Sequence, residues 1–188
     1  MKESIHAYND TFLWNSFRNG DDHALSIIYK THVQALFQYG SKLSPDKDFV
    51  MDCIHDLFVD MMHHRSTIGD TDNIRFYLIK SLKHKILRSL ERHSKMNPVN
   101  EYSFLLDATF DEQLPERETN RHQRLRLRNA INKLPERQKE VIYLRYIMGF
   151  QNEEISQVMG ISYQAVRNTL YKAIENLRKN ISKEDMII

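Results

Sequence analysis

Leu134–Lys179 reads LPERQKEVIYLRYIMGFQNEEISQVMGISYQAVRNTLYKAIENLRK, and this stretch decides the fold of the C-terminal part of the chain. Pro135 suits the first position of a helix, where its missing N–H costs nothing and its φ is already set. Val141, Leu144 and Met148 recur at helical spacing, and Gly149 is a natural stop after the last turn. Asn152–Met159 predicts two further turns, with Ile155, Val158 and Met159 facing inward. Gly160 offers the positive φ that a sharp helix-to-helix turn demands. Ser162 is a good N-cap for the next helix, and Ile161 can staple onto Val166 across it. Val166, Leu170, Ala173 and Leu177 then form one apolar stripe, while Gln164, Arg167, Asn168, Tyr171 and Lys172 occupy the other face. The pattern predicts a helix-turn-helix. Its second helix presents amide, guanidinium and ammonium groups, which read base edges and phosphates in a major groove. An ordinary three-helix packing unit with a solvated polar face would show the same spacing. The glycine in the turn, the serine at the cap and the lack of any acid between Ser162 and Ala173 favour DNA.

The rest of the chain sets limits on what surrounds this motif. Its 188 residues allow one domain or two small ones. An apolar share of 41% supports real cores, while 28% charged residues argue against a membrane or fibrous protein. A net charge of +2 carries little by itself, but its distribution is informative. Arg75–Lys95 holds seven Lys or Arg against one acid, Glu91, whereas Asn97–Asn120 holds six acids against Arg117 alone. The single cysteine, Cys53, excludes an intramolecular disulfide and fits a reducing compartment. It flanks the apolar stripe of its helix and reads as an inert core thiol. No long apolar run follows the charged N-terminus, so neither a signal peptide nor a membrane span is expected, and the expected location is the cytoplasm.

Nearly every periodic segment is helical, and none shows the strict alternation of a half-buried strand. Residues 11–19 and 21–43 predict two helices separated by Gly20-Asp21-Asp22. A third runs from about Asp48 to His64, with Val50, Ile54, Leu57, Phe58 and Met61 on one stripe. Ser66–Asp72 is a loop, after which Asn73 caps a long helix to about Ser94. Helix signals then fade from Met96 to about Thr119. The expected architecture is all-α, with two small helical domains at 1–95 and 121–188 joined by a flexible acidic linker at 96–120.

Two faces in the first domain carry chemistry. On the long helix, Lys80, His84, Arg88 and Arg92 form a basic stripe opposite Leu78, Leu82, Ile86 and Leu90. Such stripes are commonly just solvated surface. Here only Glu91 interrupts it, and Phe76-Tyr77 stands beside it, as suits unstacked single-stranded bases worth about 1–3 kcal/mol each in stacking. The preceding helix turns Asp52, His55, Asp56, Val59, Asp60 and His63 away from its core stripe. Asp56, Asp60 and His63 or His64 have the spacing of a metal-binding face. The matching ligands that a four-helix carboxylate site needs are missing from the other helices, so no metal, cofactor or catalytic residue is expected.

Taken together these pieces resemble the sigma-70 family of bacterial RNA polymerase sigma factors, in its compact extracytoplasmic-function group. The resemblance covers nearly the whole chain. Gly20-Asp21-Asp22-His23-Ala24-Leu25 resembles the opening of the first conserved domain, and Asp52-Cys53-Ile54-His55-Asp56-Leu57-Phe58 the motif of region 2.2. Phe76-Tyr77-Leu78-Ile79 resembles the start of regions 2.3–2.4. Region 4 is the most specific match, with Leu134-Pro135, Glu153-Glu154-Ile155, Gly160-Ile161-Ser162 and Val166. Departures are His55 for the usual Gln, His84 for a frequent Asn, and Gln151 for a common Ser, with Asn152 expected to cap instead. In style the chain resembles versions from Bacteroidetes.

The resemblance implies a non-catalytic initiation factor whose partners are core RNA polymerase and promoter DNA. Asp52, His55 and Asp56 would dock on the clamp coiled coil of the largest polymerase subunit, with a further contact at the flap region. Asn73, Phe76, Tyr77, Lys80, His84 and Arg88, with the loop before them, would capture the −10 element and a flipped base. Gln164, Arg167, Asn168, Tyr171 and Lys172 would read the −35 element. A membrane-bound anti-sigma factor is also implied. Elements about twenty base pairs apart lie roughly 65–70 Å apart, within the span of about 80–90 Å that a linker of some 25 residues allows. The alternative is a dimeric helix-turn-helix regulator acting at operators without polymerase docking.

Overall fold

The computed structural model describes residues 9–93, 104–105 and 118–185, and every regular element among them is helical. The chain divides into two compact units, Met1–Asn100 and Glu101–Ile188.

The first unit holds α1 (Asp10–Arg18), α2 (Asp22–Leu43), α3 (Lys47–His64) and α4 (Ile74–His93). Each starts on an Asn or Asp whose side chain accepts from backbone N–H groups left open by the first turn. Asn9 accepts from Thr11 at 3.0 Å, Asp21 from His23 at 2.8 Å, Asp46 from Phe49 at 3.0 Å and Asn73 from Phe76 at 3.0 Å. The predicted stripes meet in one core of Leu13, Trp14, Phe17, Ile28, Leu36, Tyr39, Val50, Ile54, Met61, Leu78, Leu82 and Ile86. Gly40 lets α2 approach its neighbours closely. A Cβ there would stand 2.6 Å from Val50 Cγ1 on α3 and 3.3 Å from Ile86 Cδ1 on α4. Cys53 is buried, and desolvation pushes its thiol pKa up, as suits a core residue.

The loop between α3 and α4 is tied down from α1 and α2. Trp14, fully buried, donates from Nε1 to the Gly69 carbonyl at 2.9 Å. Its ring lies 4.8 Å from that of Tyr77 and 5.5 Å from that of Phe17. Asp10 accepts from the Ile74 N–H at 2.9 Å, so the first residue of α1 also caps α4. Arg18 pairs with Asp70, and Arg65 with Asp22 at 3.1 Å.

The second unit holds α5 (Glu118–Asn132), α6 (Glu136–Ile142), α7 (Asn152–Met159) and α8 (Tyr163–Asp185). Three local expectations need correction. Pro135 is the cap of α6 rather than its first residue, with φ −57° and ψ 149°; its fixed φ suits both places, and ψ decides. The helix does not run on regularly to Gly149 but widens into a π-helical turn at Tyr143–Ile147, closed by Met148 N–H donating to Tyr143 O at 3.1 Å. Gln151, not Asn152, occupies the cap of α7, because Glu154 reaches back to accept from its N–H at 2.7 Å. Arg145 joins these features, donating to Phe150 O at 2.9 Å and Gln151 Oε1 at 3.1 Å.

Phe104 lies inside the stretch read as acidic linker, yet it is fully buried in the second unit. Its ring is 5.7 Å from that of Tyr143. Burial pushes the Tyr143 phenol pKa up to about 12.

Candidate nucleic-acid interface

The helix-turn-helix forms as its residues dictate. Gly160 takes φ +65° and leaves space around it, Ile161 N–H donates to Ser156 O at 3.1 Å, and Ser162 Oγ accepts from Ala165 N–H at 3.2 Å. Val166 and Ala173 are buried, with Leu170 and Leu177 half-buried beside them. The far half of α8 is fixed by Asn176 Nδ2 donating to Gln138 Oε1 at 2.9 Å and Asn180 Nδ2 to Ala130 O at 3.2 Å.

This seating turns Gln164, Arg167, Asn168, Tyr171 and Lys172 outward; all five are exposed, Tyr171 at 68%. Gln164 Nε2 donates to Asn168 Oδ1 at 3.2 Å, so the two side-chain amides are aligned along the helix. From 164 to 172 the face runs about 12 Å at ~1.5 Å per residue, comparable to the ~12 Å width of a major groove.

The basic face on α4 is partly regrouped. Lys80 lies with its ammonium 5.7 Å from the centre of the Phe76 ring, while His84, Arg88 and Arg92 are exposed further along. Although its side chain is largely exposed, partial burial, then the nearby Lys80, Lys83 and Arg88, lower the His84 pKa, so the stripe's cations at neutral pH are chiefly Lys80, Arg88 and Arg92. Tyr77 does not stand free beside the stripe. It is half-buried against Trp14, and desolvation raises its pKa against a hydrogen bond to Ser81. Asn73 spends its side-chain oxygen on the α4 cap and its N–H on Thr71 Oγ1 at 3.1 Å.

On α3, Asp52, His55 and Asp56 are exposed, with Val59 and Met62 on the same side. Asp56 and Asp60 converge on Lys85 of α4, at 3.8 and 2.8 Å, and His64 Nδ1 lies 2.9 Å from the Asp60 carbonyl. Among the described residues no group of three or more His, Cys, Asp or Glu is arranged to hold a metal ion. Between α3 and α4 an open cleft of about 550 Å³ is lined by Asp60, His64, Tyr77, His84, Lys85 and Arg88, among others. Sequence patterning gave no hint of Lys85 as a bridge between these helices or of Trp14 holding the loop between α3 and α4. Trp14 did carry one signal, since it shares an apolar face with Phe17 three residues on.

The fold and its faces define a helical DNA-binding protein of two units, one bearing a basic and aromatic helix and the other a helix-turn-helix. A family model for sigma-70 region 4 matches residues 124–177, which run from within α5 through α6 and α7 into α8. The RNA polymerase sigma factor SigV of Bacillus subtilis (strain 168) is 22% identical over 155 residues, covering 82% of this chain and 89% of its own length. Sigma factor YlaC of the same organism is 24% identical over 159 residues, covering 83% and 91%. Two solved structures share the fold. One is CnrH in complex with the cytosolic domain of CnrY (TM-score 0.61, 22% identity, 94% of this chain and 99% of that one). The other is the sigma factor RpoE in complex with the anti-sigma factor NepR from Bartonella quintana (TM-score 0.57, 16% identity, 82% and 94%). Residues 124–177 thus match the sigma-70 region 4 family, and over more than four fifths of its length the chain is similar to RNA polymerase sigma factors, among them the ECF sigma factor SigX of the same organism (20% identical over 164 residues, 85% of this chain and 84% of its own length).

Proposed function

We propose that this protein is an alternative sigma factor that binds core RNA polymerase and directs initiation at promoters carrying matched −10 and −35 elements. The observation that carries the reading is the outer face of α8. Five exposed groups able to donate or accept hydrogen bonds stand there, with no acid among them and with Val166 and Ala173 locked behind. In a major groove, Arg167 suits a guanine edge and Gln164 or Asn168 an adenine edge, while Lys172 suits a phosphate.

On the −10 side, Lys80, Arg88 and Arg92 follow the backbone of an opened strand and Phe76 offers a stacking surface. Taking a base out of the stack costs a few kcal/mol. The cleft between α3 and α4, with His84 and the Tyr77 edge in its wall, is suited to receive it. Asp52, His55 and Asp56 form the face assigned to the clamp coiled coil, and the second unit is assigned the flap contact. Neither DNA contact is selective alone, so the connection between the units makes the second binding step effectively intramolecular.

No described helix is long and apolar enough to cross a membrane. The proposed location is the cytoplasm, and the proposed regulator is a membrane-bound anti-sigma factor. The test is run-off transcription with purified core polymerase on a pool of genomic promoter fragments. Discrete transcripts that need this protein support the reading. No transcripts, with no co-elution with polymerase, would refute it.

A further inference from the structure

Phe104 stands out from the acidic stretch around it. Its side chain is fully buried in the second unit, its ring is edge-on to Tyr143, and its backbone N–H donates to Glu136 Oε2 at 2.6 Å. Glu136 is itself held by Lys139 Nζ at 3.2 Å. Leu105, the next residue, is 39% exposed. The first helix described in that unit starts at Glu118. The unit therefore grips the chain well ahead of its described helices.

This grip limits how far the two units can part. From His93 at the end of α4 to Phe104, the chain spans at most about 36–40 Å at ~3.3–3.6 Å per residue, whatever its conformation. From His93 to Glu118 the limit is about 80–90 Å. We propose, resting on the sigma-factor reading above, that Phe104 is a spacing determinant. Seated against Tyr143 and Glu136, it shortens the connection between the −10 and −35 readers and so sets the longest promoter spacing they can serve. Unseating it raises that upper limit by about 46–50 Å, more than one turn of DNA.

The test rebuilds a promoter recovered by run-off transcription with its two elements moved apart one base pair at a time. It is transcribed by core polymerase with the full-length wild type, with Phe104→Ala, and with a wild type carrying a Gly/Ser insertion of about ten residues after Asn100. Wild-type output is expected to stop at a sharp upper spacing. Both variants should move that limit outward by about five base pairs or more, at ~3.4 Å per pair. Phe104→Leu, which keeps a buried apolar side chain and the N–H, should hold the wild-type limit. A Phe104→Ala protein that merely loses stability lowers output at every spacing and leaves the limit in place, which overturns the proposal. An insertion variant with an unmoved limit overturns it as well, without disturbing the Phe104 pocket. Absence of wild-type transcripts at every spacing overturns the sigma-factor reading and the proposal together. Wild-type transcripts with identical limits in the variants overturn the proposal alone.

Discussion

Gly40→Ala should destabilise the first unit, although it replaces a helix-interior glycine by the best helix former. The exchange gains about 0.8–1.0 kcal/mol of intrinsic helix propensity. Against it stands a new methyl group 2.6 Å from Val50 Cγ1, where carbon atoms prefer about 3.5–4.0 Å. Val50 is fully buried and, being β-branched, has few other rotamers, so α2 must move away from α3 or the core must strain. Overpacking of this kind costs about 1–3 kcal/mol. The net expectation is a loss of about 0–2 kcal/mol, or up to roughly 16 °C in Tm for a unit of this size at ~4–8 °C per kcal/mol. Trp14 is the only tryptophan and is buried in this unit, so its fluorescence during urea unfolding of the full chain reports the first unit alone. The decisive measurement is the same exchange in a Val50→Ala background. With the obstructing methyl groups gone, Gly40→Ala should change sign and stabilise by up to about 1 kcal/mol. A stabilising effect in the wild-type background would refute the close approach of α2 to α3.

Arg167→Ala should cost about 1–3 kcal/mol in −35 binding and relax preference at one base pair; an unchanged promoter profile would remove Arg167 from base readout. Arg88→Ala should lower the slope of log K against log salt by about 0.7 for an opened −10 strand, and an unaltered slope would take Arg88 off the phosphates. Asp56→Ala should weaken capture of core polymerase in a pull-down while leaving the helical circular dichroism intact; full capture would move the docking face elsewhere. The stability of the first unit should fall on mild acidification. Burial and then Arg75 hold the His32 pKa below its usual 6.5, against a smaller opposing pull from Asp10. The unfolded chain therefore takes up the proton first, and this contribution, complete above about pH 6.5, is lost as pH drops through 6.5 towards the folded value. His32→Gln should show a smaller drop in urea midpoint between pH 7.5 and 5.5 than the wild type.

What the sequence revealed was local, and what it concealed was long-range or lacked a period. The α7–Gly160–α8 turn was legible because glycine, serine and the apolar spacing each point to the same geometry. The helices of the first unit were legible from their apolar spacing and, for the last of them, from Asn73 as its cap; the Asx caps of the other three emerged only in the structure. Trp14 reaches Gly69 across fifty-five residues, and no periodicity encodes such a contact. The π turn at Tyr143–Ile147 is invisible because its i→i+5 closure needs only one residue out of phase with an ordinary helix. Phe104 was hidden by its company, since acids on both sides mark the stretch as solvated while a single aromatic ring settles in a core. Of the residues singled out for DNA, those on α8 were placed outward by the stripe behind them. Tyr77 and Asn73 could not be resolved that way, because Trp14 and the α4 cap engage them from outside the helix.

That contrast bears on how the protein can change over generations. Gln164, Arg167, Asn168, Tyr171 and Lys172 project from α8 without supporting its core, and substitutions at exposed positions of that sort usually shift stability by no more than about 0.5 kcal/mol. Preference at the proposed −35 contacts is thus free to drift, and duplicated copies of the gene could diverge there with the scaffold unharmed. At the proposed −10 contacts the same drift is obstructed, because altering Asn73 or Tyr77 also loosens a helix end or the packing on Trp14. New regulons should therefore arise from the α8 end of the molecule first.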